Sequence, residues 1–116
     1  MRKPEVPFED FLALEIRAGT VIEAEPFPEA RKPAFRLTLD FGPGVGVLHS
    51  SAQLTRRYAA HDLVGTRVLA VVNFPPKRIA GLASQCLVLG VVNPDDPGDV
   101  VLVRPDDDDT VGWELA

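Results

Sequence analysis

Lys77 and Arg78 stand side by side in the run Asn73-Phe74-Pro75-Pro76-Lys77-Arg78-Ile79-Ala80-Gly81, which Ser84 closes. Two cations flanked by a carboxamide and a hydroxyl suit an anion: the charges attract phosphate and the neutral groups add hydrogen bonds. A second basic group, Arg31, Lys32 and Arg36, precedes and enters a strongly alternating segment. Phosphate contact through Arg31, Lys32, Arg36, Lys77 and Arg78, with Asn73 and Ser84 beside them, is the chemistry this pattern could do. The plain alternative is a solvated connection with incidental charge.

Covalent chemistry finds no comparable grouping. His49 and His61 are isolated and lack metal-ligand spacing, and His49 falls in an alternating run that suits a sheet residue better than a base. No nucleophile elbow, P-loop or dinucleotide fingerprint occurs. The stretch Gly42-Pro43-Gly44-Val45-Gly46 precedes a strand, not a helix, so it lacks the terminal amides of a phosphate cradle. Asp106 to Asp109 have neither the glycine nor the ligand spacing of a calcium loop and suit a solvated tail. Ser50 and Ser51 have no evident base partner. Cys86, the only cysteine, lies inside an apolar run, so it is a small buried hydrophobe and no internal disulfide can form. No catalytic residue, metal site or cofactor is expected.

The elements that must position the basic residues follow from periodicity. Val68 to Val72 form an apolar run that suits a buried strand, and Pro75 and Pro76 end it because proline lacks a ladder N–H. Cys86 to Val92 suit the next strand, and Gly81 supplies a turn between them. Loops held on such a rigid sheet are where binding residues concentrate. Phe35, Leu37, Leu39 and Phe41 alternate with Arg36, Thr38 and Asp40, the clearest strand signal in the chain. Ile16, Ala18, Ile22 and Ala24 are expected on one face of an earlier strand, with Gly19 marking a bulge or bend. Val45, Val47 and His49 make a third alternating run, and Asp99 to Val103 a last short strand. A helix packing Phe8, Phe11 and Leu12 is expected after Pro7, and a serine-capped helix over 50–58. Many short strands, regular turns and one internal helix predict an all-β fold, a five-stranded OB-fold barrel with short helices and N- and C-terminal extensions.

With 116 residues, 46% hydrophobic and 25% charged, the chain suits a single domain, residues 1–116. The core is expected over about 8–103, with an acidic C-terminal extension, 104–116. No apolar run reaches the ~20 residues that span a bilayer. No apolar signal core follows Met1-Arg2-Lys3-Pro4-Glu5, so a cytoplasmic location without membrane insertion is expected. The net charge of −5 conceals an uneven distribution: residues 31–94 hold eight of the twelve Lys and Arg but only two acids, Asp40 and Asp62. Such asymmetry fits a polyanion-binding face on an acidic protein, and equally fits charges that cancel in space.

Five segments carry a family resemblance: Glu15-Ile16-Arg17-Ala18-Gly19-Thr20-Val21, Phe27-Pro28-Glu29-Ala30-Arg31, Leu39-Asp40-Phe41-Gly42, Ser50-Ser51-Ala52-Gln53, and Asn73 to Gly81 with Ser84. From about Phe8 to Val103 the chain resembles the CsaA group of export-related chaperones, within the wider tRNA-binding domain family that also occurs appended to some aminoacyl-tRNA synthetases. The Ser-Ser-Ala-Gln run and the Pro-Pro pair favour the CsaA branch. The resemblance implies an OB-fold, a homodimer, no enzymatic activity, and two kinds of partner: tRNA, and unfolded or export-destined polypeptides. It also matches Asn73 and Ser84 to an RNA-facing surface. The acidic tail and the Cys86-Leu87-Val88-Leu89 strand depart from the appended domains.

Two mechanisms follow. In the first, Arg31, Lys32, Arg36, Asn73, Lys77, Arg78 and Ser84 bind RNA; Phe74 is then either a base-stacking platform or, the preferred reading, a core residue at a strand end. In the second, Phe74, Pro75, Pro76 and Ile79 line apolar pockets for peptide or form the dimer interface. A peptide-binding chaperone with negligible RNA affinity, or a module docking onto a synthetase or translocation component, are the alternatives.

Overall fold

The computed structural model describes residues 2–116; Met1, the first residue of the expected domain, lies outside them. In chain order the elements are α1 (Phe8–Leu12), β1 (Ile16–Pro26), β2 (Phe35–Asp40), β3 (Val47–Ala52), α2 (Ala60–Leu63), β4 (Arg67–Val71), β5 (Lys77–Ile79), β6 (Leu82–Ser84), β7 (Leu87–Val88), β8 (Gly90–Asn93) and β9 (Asp96–Leu102). A five-stranded antiparallel sheet in the order β3-β2-β1-β4-β7 curls into a nearly closed barrel. α2 lies between β3 and β4, the OB-fold arrangement. The hairpins β5–β6 and β8–β9 stand outside this sheet.

Alternation builds the core as expected on β2: Phe35, Leu37 and Leu39 are buried, and Phe41 beyond the strand joins them. Gly19 is not the bulge. The register shift falls between Val21 and Glu23, so Ile22 turns outward and is exposed, contrary to expectation. Gly19 instead admits the Phe41 ring, since a Cβ there would lie 2.6 Å from Phe41 Cε1. On β3 the alternation holds with the opposite face inward. Ser50 and Ala52 are buried while Val47 and His49 face out.

The barrel closes between β3 and residues 84–86 through a polar seam. Gln85 N–H donates to His49 O (2.8 Å) and His49 N–H to Gln85 Oε1 (2.9 Å). The fully buried Ser50 hydroxyl donates to Cys86 O at 2.9 Å, and Ser51 N–H donates to Ser84 Oγ at 3.1 Å. A buried polar group costs free energy unless partnered, and the Ser50 hydroxyl finds its partner across the closure.

Three further expectations are corrected. The segment 50–58 is not a helix: β3 runs to Ala52 and turns follow, because the serines satisfy the seam and do not cap. The stretch 86–92 is not one strand; it breaks at Leu89 into β7 and β8, and β9 begins at Asp96. α1 forms, but Phe8 and Leu12 are 69% and 61% exposed, and α1 buries no residue. Its helix is too short to stand alone and has no side-chain cap.

Candidate nucleic-acid interface

Beyond Arg2-Lys3 at the start, three adjacent basic pairs punctuate the chain: Arg31-Lys32, Arg56-Arg57 and Lys77-Arg78. The fold treats them differently. Arg31 and Lys32 sit in the loop from Phe27 to Ala34, between β1 and β2. That loop is closed on itself by Phe27 N–H donating to Ala34 O (3.1 Å) and Ala30 N–H donating to Phe27 O (3.2 Å). Phe27 is buried and anchors it. Lys77 and Arg78 open the β5–β6 hairpin, in the connection between β4 and β7. Its two-residue turn, Ala80-Gly81, has both φ angles positive, at 47° and 88°, the pattern of the primed turns that match strand twist.

These two loops and the end of β3 enclose a cleft of about 610 Å³. Arg31, Lys32, Lys77 and Arg78 all line it, with Ser51 and Gln53 on the β3 side. Among the described residues, none of the four cations makes an ion pair with an acidic side chain. Arg56 and Arg57, by contrast, are taken up by the β8–β9 hairpin. Arg56 pairs with Asp96, and Arg57 makes a two-pronged contact with Asp99 at 2.8 Å and 2.8 Å. That contact, aided by Asn93, holds the Asp99 carboxyl down at about 2, and raises the Arg57 guanidinium above its usual value.

The acidic tail lies elsewhere. Arg67 Nε donates to Asp108 O (3.1 Å), and Gly112 N–H donates to Ala18 O (2.8 Å), placing residues 108–112 beside β1 and the Asp40 end of β2. The basic cleft is at the Phe35 end. The six residues of β2 separate the two by about 17 Å. That exceeds the roughly 8–10 Å screening length of physiological salt.

Not every expected contact residue joins the cleft. Arg36 stands apart on β2, pairing with Glu25 at 3.4 Å and lying 5.4 Å over the Phe27 ring. Asn73 is engaged within the chain: its Oδ1 accepts Glu15 N–H and its Nδ2 donates to Ala13 O, both at 2.8 Å. It therefore ties the N-terminal segment to the end of β4. Ser84 lies in the barrel seam. Phe74 is 44% exposed and not a core residue, which corrects the preferred reading. With Pro75 and Ile79 it lines a second, smaller cleft of about 250 Å³, which shares Ser51, Gln53, Lys77 and Ile79 with the first and from which Pro76 is absent. Cys86 is buried, and burial pushes its thiol up to about 11, so it stays protonated at neutral pH. Among the described residues no group of three His, Cys, Asp or Glu could hold a metal ion, and no helix is long and apolar enough to cross a membrane.

A family model described as a putative tRNA binding domain matches residues 16–114. The fold superposes on the chaperone CsaA of Bacillus anthracis str. Ames with a TM-score of 0.90 and 52% identity, covering 97% of this chain and 100% of that one. The chain belongs to the tRNA-binding domain family, in its CsaA group. The CsaA chaperone of Picrophilus torridus is similar as well, at 38% identity and a TM-score of 0.88, over 97% of this chain and all of the other. A methionine--tRNA ligase of Methanothrix thermoacetophila is 38% identical over 90% of this chain, which spans only 14% of that ligase. In that enzyme the likeness is confined to one appended domain.

Sequence reasoning passed over Ser51, Gln53 and Glu29 as cleft residues. All three occur in runs that carry the family resemblance. Glu29 had a local signal too, since Pro28 pre-sets the second position of a turn and leaves Glu29 at its tip.

Proposed function

We propose that the protein is a non-catalytic tRNA-binding protein that works as a homodimer. RNA phosphates run along the cleft between the Phe27–Ala34 loop and the β5–β6 hairpin. OB-folds bind oligonucleotides with these two connections and the adjoining strand face. The observation that carries the reading is the gathering of Arg31, Lys32, Lys77 and Arg78 around one cleft, none of them in an ion pair among the described residues. Arg36, Asn73 and Ser84 then act from outside it, holding Phe27, the N-terminal segment and the seam. Titration of labelled tRNA at several salt concentrations tests this. Four phosphate contacts predict a log–log slope of roughly −3 per protomer. No binding at low salt sinks the reading.

The dimer interface in this proposal is the face where both terminal segments meet the start of β1. Leu115 N–H donates to Ile16 O (2.8 Å) and Ala18 N–H to Trp113 O (3.0 Å), so the C-terminal segment runs beside β1. Trp113 is 67% exposed there, and the exposed Phe8 and Leu12 lead into the same strand. Large apolar side chains left in water mark an association surface. Sedimentation equilibrium of a Phe8→Glu/Trp113→Glu variant should show a folded monomer; an unchanged dimer moves the interface elsewhere.

A second reading, chaperoning of export-destined polypeptides in the cytoplasm, is favoured by the smaller cleft lined by Phe74, Pro75 and Ile79. Loss of aggregation suppression in Ile79→Asp, with the dimer intact, is its expected signature.

A further inference from the structure

Glu29 is the one acid lining the basic cleft, and among the described residues it makes no ion pair despite the four cations around it. The turn fixes its place: Phe27 is buried, Pro28 follows, and Ala30 N–H closes back on Phe27 O. A carboxylate among phosphate ligands opposes a phosphate, so a phosphate cannot sit at Glu29. A nucleobase can. An ionised carboxylate only accepts hydrogen bonds, and it accepts two side by side. Among the bases, only guanine offers two adjacent donors with no intervening acceptor, N1–H and the N2 amino group on its Watson–Crick edge. Adenine and cytosine each present an amino group beside an acceptor nitrogen, and uracil presents one N–H between two carbonyls. A cleft of about 610 Å³ holds a group of nucleotide size.

We propose that Glu29 reads the Watson–Crick edge of an unpaired guanine, while Arg31 and Lys32 on one wall and Lys77 and Arg78 on the other hold the flanking phosphates. This rests on the RNA-binding reading of the cleft. Gln53, on the β3 side of the cleft, carries an amide that can donate to guanine O6. The base must be unpaired, since pairing uses the edge that Glu29 takes. The site therefore selects a loop or an end and leaves duplex RNA unread.

The test uses labelled RNA heptamers, uridine throughout except for guanine, adenine, cytosine or inosine at the centre, titrated by fluorescence anisotropy at low salt alongside tRNA. The guanine heptamer is expected to bind about tenfold more tightly than the adenine one, the scale of a good bidentate contact. Inosine, lacking the N2 amine, should fall between. Glu29→Gln should bring the heptamers to near-equal affinity. Equal affinities in the unaltered protein overturn the proposal. So does Glu29→Gln shifting every heptamer by the same factor, which is the effect of a bare charge, and so does binding of tRNA without any heptamer. Lys77→Glu/Arg78→Glu separates the two levels. If that variant loses every ligand, the phosphate-binding reading holds whatever the base preference. If it loses none, the cleft reading fails and the guanine proposal falls with it.

Discussion

Arg56-Arg57 and Lys77-Arg78 are alike as dipeptides, and the fold puts them to different uses. The first pair meets Asp96 and Asp99 as the β8–β9 hairpin folds back over it, so its charge is consumed in holding that hairpin to the barrel. The second pair is carried on a hairpin that holds no acid, facing a loop that brings two more cations. Unpaired like charges oppose folding through mutual repulsion. Their retention around a cleft, with acids of the same chain available to neutralise another pair, is the observation on which the proposed RNA-binding reading rests. Lys77→Glu/Arg78→Glu should therefore weaken tRNA binding by about a hundredfold at low salt and reduce the salt slope by about two, with Tm little changed. Arg57→Ala should do the reverse, lowering stability and leaving RNA affinity within about twofold. Equal losses of affinity from both would erase the distinction between the pairs.

The distinction also requires that the barrel and the cleft can be perturbed separately. Gly19 lies on β1 near its Asp40 pairing end, away from the basic loops. A Cβ there would stand 2.6 Å and 2.7 Å from atoms of the Phe41 ring, which is 1% exposed. Gly19→Ala should cost about 1–3 kcal/mol as an overpacking substitution, measured by urea unfolding. The surviving folded fraction should bind tRNA as tightly as the unaltered protein. A stability change near zero would mean that the Phe41 ring can shift, contrary to its tight packing.

How much of this was readable beforehand divides along the same line. The alternation of Phe35, Leu37, Leu39 and Phe41 announced β2 because a half-buried strand imposes a period of two. The connection holding Lys77 and Arg78 was equally plain, since Pro75 and Pro76 bar a strand between β4 and β5. What escaped was long-range. Nothing local says that Asp99, and not Asp106, turns back on Arg57, because that depends on where the β8–β9 hairpin packs. Ser50 looked like a helix cap, and its actual partner, the carbonyl of Cys86, is 36 residues away. Asn73 looked like a ligand group, and its carboxamide is occupied by Ala13 and Glu15, 60 and 58 residues earlier. Residue type predicted which groups could bond; only topology decided with what.

The structural pair can be weakened selectively by acid. The Asp99 carboxyl is held down at about 2, first by the hydrogen bonds from Arg57 and then by that from Asn93, against an ordinary value near 3.8. A depressed carboxylate contributes its full stabilisation above the unfolded value and loses it as pH falls through the folded one. The β8–β9 hairpin should thus keep its anchor down to about pH 4 and release it toward pH 2. Carbon-detected titration of the Asp99 carboxyl should give a midpoint near 2 that rises toward 3.8 in Arg57→Ala. A midpoint near 4 in the unaltered protein would dissolve the pair.

The smallest expected effect concerns the hairpin that carries the free pair. Its turn places Ala80 at φ 47° and Gly81 at φ 88°. Alanine disfavours that left-handed region by about 1–2 kcal/mol, whereas asparagine tolerates it, and Asn-Gly is the preferred pair for a two-residue turn of this hand. Ala80→Asn should stabilise the protein by about 0.5 kcal/mol, raising Tm by roughly 2 °C. Because residue 80 lines the mouth of the cleft, the same change should leave tRNA affinity unaltered or slightly raised, through a better-ordered Lys77 and Arg78. A fall in Tm would show that the strain at Ala80 is relieved by contacts that asparagine disrupts. An affinity loss without a stability loss would place a bound group directly against the turn, closer to Ala80 than the phosphate path between Lys32 and Lys77 requires.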